Sequence, residues 1–74
     1  MNGMESRIAF AGILLEKVRN ERYPSSTQMT MIEEVLPPQL LSRYVEVLLE
    51  KVAQDDRPSI PMLQRLQRVI SMMP

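Results

Sequence analysis

The chain has 74 residues, of which 45% are hydrophobic, and its nine basic and nine acidic residues give a formal net charge of zero. It contains neither Cys nor His, which excludes disulfides and thiolate metal sites and removes the commonest general base. The length and the hydrophobic content predict one small domain with an aliphatic core. The balance of acidic and basic residues predicts no strong nonspecific attraction to nucleic acid or membranes.

The first predicted helix runs from Met4 to about Arg22. It ends before Pro24, because the residue preceding a proline is pushed out of the helical region. Gly12 interrupts its apolar face, and a glycine there predicts close approach by another helix. The apolar positions recur at helical spacing: Ile8, Ala11, Leu15 and Val18, with Phe10 and Leu14 beside them.

Serines and prolines delimit three further predicted helices. Ser25 and Gln28 fit a capping box at the start of the second helix, which Pro37-Pro38 ends. The third helix runs from about 39 to 54, and Ser59 caps the fourth. The apolar stripes of these helices are Met29, Ile32, Val35 and Leu36; Leu41, Tyr44, Val45, Leu48, Leu49 and Val52; and Leu63, Leu66, Val69 and Ile70.

Part of the sequence occurs twice. The pentapeptide Leu14–Val18 recurs as Leu48–Val52, and Pro24-Ser25 recurs as Pro58-Ser59, both at an offset of 34 residues. Every stripe position of the two shorter helices keeps an apolar counterpart at this offset, as do those of the longer helices from residue 10 onward. We therefore interpret the chain as a tandem duplication of one helical hairpin, with the pentapeptide Leu and Val residues in the core.

The repeat predicts an all-α fold of four short helices, arranged as two tandem helical hairpins within a single domain. Repeat 1 covers about residues 5–36 and repeat 2 about residues 39–73. Two units are too few for an open solenoid, so we expect the hairpins to close into a compact pseudo-symmetric bundle. We recognise no family whose motifs match this sequence.

No apolar stretch approaches the roughly 20 residues of a membrane-spanning helix. The run from Ile8 to Leu15 is bracketed by charges too closely for a signal peptide. We expect a cytoplasmic protein that does not associate with membranes.

Several apolar residues fall off the main stripes, and two of them, Ile13 and Val47, coincide at the 34-residue offset. This coincidence predicts a second apolar face that is partly exposed. The stripe is either wide and wholly core, or this face binds a protein partner or a second copy as a homodimer. The favoured function is a small non-enzymatic interaction module, adaptor or regulator. Its candidate partner-binding residues are Ile13, Leu40, Val47, Met31 and Met62.

The last helix suggests an alternative function, since Gln and Arg are residue types that contact base edges. A DNA-binding regulator would use Gln64, Arg65, Gln67 and Arg68. The small basic charge argues against this alternative. No pattern predicts a catalytic residue, a cofactor site or a metal site.

Overall fold

The computed structural model describes all 74 residues and contains four α-helices and no strand. The helices are α1 (Gly3–Asn20), α2 (Ser26–Val35), α3 (Pro38–Gln54) and α4 (Ile60–Ile70). The predicted all-α class and the four helices are confirmed. None of the helices combines the length and the apolar character that crossing a bilayer requires.

Side chains predicted as caps begin α2 and α4. The Ser25 hydroxyl accepts from the Gln28 backbone N–H at 3.0 Å, and the Gln28 side-chain oxygen accepts from the Ser25 N–H at 3.1 Å. This reciprocal pair confirms the capping box. The Ser59 hydroxyl accepts from the Met62 N–H at 3.2 Å. Both serines satisfy N–H groups that have no partner within the helix.

The side-chain cap of α1 was not predicted from the sequence. The Asn2 side chain accepts from the Glu5 N–H at 2.8 Å, and the Glu5 carboxylate accepts from the Asn2 N–H at 3.3 Å. The Asn-x-x-Glu spacing carried this signal. The helix ends at Asn20, two residues before the predicted end, where Glu21 turns extended and its N–H donates to the Val18 carbonyl.

The chain divides into two compact units, Met1–Leu41 and Ser42–Pro74. The boundary lies within the continuous helix α3, whereas the sequence placed the boundary of its repeats near Pro37-Pro38. In the first unit α1 packs against α2. The buried side chains of these two helices are Ala11, Leu15, Val18, Met29 and Ile32.

The second unit contains most of α3 together with α4, and its buried side chains are all apolar or aromatic. Three residues of this unit that the sequence predicted as core are exposed instead: Leu49, Leu63 and Ile70. Closure of two hairpins about a twofold axis stays a prediction. The buried residues of the unit are Tyr44, Val45, Val47, Leu48, Leu66 and Val69.

Gly12 does not mark a close helix approach. A Cβ built at Gly12 meets no atom within 4 Å outside its own helix. The expectation of a tight crossing at this glycine is therefore wrong, and the residue is only a weak position within α1.

We expect Gly12→Ala to raise the free energy of unfolding by about 1 kcal/mol, because alanine costs less backbone entropy than glycine inside a helix. Urea denaturation followed by circular dichroism measures this change. Ala9→Gly, at an exposed position of the same helix, is the matched control and should lower stability by a similar amount. A loss of stability in Gly12→Ala would contradict the open space around this residue.

Candidate interaction surfaces

The two long helices bury different sides, although their apolar positions correspond at the 34-residue offset. Phe10 of α1 is 43% exposed, whereas its counterpart Tyr44 in α3 is fully buried. Ala11 and Val45 form the one corresponding pair that is buried in both helices. With successive residues about 100° apart, the buried side of α3 is turned by about a quarter turn from that of α1.

The same rotation separates the two residues predicted to form a second apolar face. Ile13 is 58% exposed, but Val47 is only 7% exposed. The expectation of an exposed face is therefore wrong for Val47, which is a core residue because α3 buries this side. Ile13 lies on the side of α1 opposite to the buried Ala11 and Leu15.

The other three predicted partner-binding residues are divided between the two units. Met31 of α2 is exposed, and Leu40 in the first turn of α3 is half-buried. Both lie in the first unit with Ile13. Met62, in the second unit, is half-buried and shares the buried side of α4 with Leu66, four residues later. Of the five predicted residues, Ile13 and Met31 are exposed.

The exposed side of α1 combines apolar and cationic side chains. Phe10 and Ile13 are three residues apart and therefore neighbours on the helix surface. Arg7 precedes Phe10 by three residues, and Lys17 follows Ile13 by four, so each cation lies about one turn from the apolar pair. Both cations are exposed, and neither forms an ion pair. We call Phe10 and Ile13, with Arg7 and Lys17, the α1 outer face.

A second apolar surface lies on α4. Ile60 is 64% exposed, Ile70 42% and Leu63 38%, while Leu66 and Val69 of the same helix are buried. This surface was not predicted from the sequence, because Leu63 and Ile70 fall on the predicted core stripe. The spacing of residues 60, 63, 67 and 70, which repeats every seven residues, could have predicted this surface.

The residues of the nucleic-acid alternative are spread around α4. Gln64 and Arg68, four residues apart, are exposed on one side. Gln67 is exposed about 60° from Gln64 around the helix. Arg65 is half-buried. The structure therefore exposes three of the four residues, and Gln64 lies one turn from both Gln67 and Arg68.

No group of three or more acidic side chains is placed to hold a metal ion. The chain matches no model of a known protein family, no curated protein and no solved structure.

The difference in burial between corresponding residues has a measurable consequence. We expect Tyr44→Ala to lower the free energy of unfolding by about 3–5 kcal/mol, the usual cost of removing a buried aromatic ring. Phe10→Ala should cost only about 1 kcal/mol, because nearly half of its surface is already exposed to water. Urea denaturation of both variants checks this difference.

A second pair of substitutions is milder and stays informative if Tyr44→Ala unfolds completely. Val47→Ala should cost about 2 kcal/mol and Ile13→Ala less than about 1 kcal/mol. Equal losses within either pair would show that the two helices bury the same side, contrary to the structure.

Proposed function

We propose that this protein is a small non-enzymatic interaction module that binds an acidic, amphipathic segment of a protein partner through the α1 outer face. The observation that carries the proposal is an apolar pair, Phe10 and Ile13, exposed beside two unpaired cations. Their counterparts at the 34-residue offset, Tyr44 and Val47, are buried.

Burial of the apolar pair would supply the affinity. Phe10 and Ile13 each expose about half of their surface, and each square ångström of apolar surface removed from water contributes about 25 cal/mol. Aromatic side chains are enriched among the residues that dominate binding energy. A partner that covers this pair with its own apolar residues would therefore gain most of its affinity here.

The cations would decide which partner binds. Arg7 and Lys17 lack acidic partners in this chain, so an incoming carboxylate meets uncompensated positive charge at each end of the apolar pair. Like charges brought together disfavour association. A second copy placed on this face would oppose Arg7 and Lys17 with the same cations, so a partner with apolar and acidic residues fits better.

Selection from a displayed library of helical peptides tests this proposal. We expect the enriched peptides to combine leucine-type residues with Glu or Asp one turn away. Their affinity for the full chain should fall at least about tenfold with Ile13→Glu, because the substitution places a carboxylate where apolar contact is needed and repels the peptide's acids. Isothermal titration measures the affinity.

Met4→Glu is the matched control. Met4 is exposed on the opposite side of α1, so the same gain of charge there should leave the affinity within about twofold. Circular dichroism verifies that both variants fold. Enrichment of basic or neutral peptides, or equal effects of the two substitutions, would contradict the proposed partner.

DNA binding is the second candidate, and exposure of Gln64 and Arg68 on one side of α4 is the observation in its favour. If it operates, duplex DNA should shift in a mobility assay at low salt, and the affinity should fall steeply as salt rises. Arg68→Gln should then weaken binding. No shift at about 50 mM salt would remove this candidate.

A further inference from the structure

Four residues of α4 form a continuous line along its exposed side. Ile60, Leu63, Gln67 and Ile70 are separated by three, four and three residues, which is the alternation of the a and d positions of a coiled coil. All four are exposed, although Leu66 and Val69 are buried along an adjacent side of the same helix. We call these four residues the α4 seam.

The seam carries no charge. The two charged residues of α4 are Arg65 and Arg68, and both lie outside the seam. Around the helix, Arg65 is about 180° and Arg68 about 120° from the centre of the seam. A charged partner finds no counter-charge here, whereas a second copy of the seam brings no like charges together.

Gln67 makes the seam self-complementary. A primary amide carries both donors and an acceptor, so two Gln67 side chains can hydrogen-bond to each other. In a parallel pairing the two Gln67 residues face each other. An antiparallel pairing would place each Gln67 amide against Leu63 of the other copy, without a partner. A single polar residue among apolar seam positions selects register and orientation in this way.

We propose that the α4 seam is a homodimerisation surface, on which two copies of this chain pack α4 against α4 in parallel with Gln67 paired across the twofold axis. The inference concerns a surface distinct from the α1 outer face and does not rest on the proposed function. The occupant is a second copy because the seam is apolar, uncharged and complementary to itself.

The size of the seam sets the strength of the dimer. Eleven helical residues span about 16 Å, so a single helix pair buries much less than the roughly 1,600 Å² of a standard stable complex. We expect a reversible dimer with a dissociation constant on the order of 100 µM. Such a dimer would form when the protein is concentrated, for example on a shared partner.

Sedimentation equilibrium of the full chain, from about 10 µM to 1 mM around the expected constant, tests the proposal. Gln67→Glu and Gln67→Lys should each weaken the dimer at least about tenfold, because each places two like charges face to face. Mixing the two variants should restore association, since opposite charges then meet across the axis. Gln67 is exposed, so both variants should fold, as circular dichroism verifies.

Gln39→Glu makes the same charge change at an exposed position of α3 and should leave the dimer unchanged. Ile13→Glu should also leave it unchanged, so loss of partner binding and loss of dimerisation are separable. A monomer throughout the concentration range, or a dimer insensitive to charge at residue 67, would overturn the proposal. Failure of the mixed variants to associate would overturn the parallel pairing.

Discussion

Each helix of this protein is stabilised by the burial of only a few apolar side chains on one side, and the rest of the structure depends on this small core. A short chain without cysteine has no disulfide to constrain its unfolded state, and below about 80 residues a single core supplies little surplus stability. Here α1 buries three side chains, α2 and α4 two each, and α3 four. Substitutions of these residues should therefore lower the free energy of unfolding more than substitutions elsewhere.

Such small cores need well-defined helix ends. Asn2, Ser25 and Ser59 each satisfy an N–H at the start of a helix with a side-chain oxygen. Each cap contributes about 1 kcal/mol, which is substantial against the few kcal/mol expected of a domain of this size. Arg57 N–H donates to the Asp55 carboxylate at 2.9 Å in the turn before Ser59, so this turn is also fixed locally.

The two exposed apolar surfaces arise because corresponding helices bury different sides. Apolar residues occupy more than one side of each helix, and positions that correspond at the 34-residue offset are not all buried alike. Leu63 is exposed where its counterpart Met29 is buried, just as Phe10 is exposed where Tyr44 is buried. The first case leaves an uncharged line of residues and the second an apolar pair flanked by cations. This difference in charge is the basis for the two proposed partners, a second copy for the uncharged seam and an acidic segment for the cationic face.

The sequence alone determined the helices, because local interactions set their ends: prolines exclude the helical conformation before them, and the Ser25 and Ser59 hydroxyls bond to amides three residues later. It also identified most of the buried residues and pointed to Ile13 as an exposed apolar position. Only the tertiary structure decided that Val47 is core and that Leu63 and Ile70 are surface. Periodicity shows that a helix has an apolar side, but where apolar residues cover more than half of its circumference, the neighbouring helices select which part is buried.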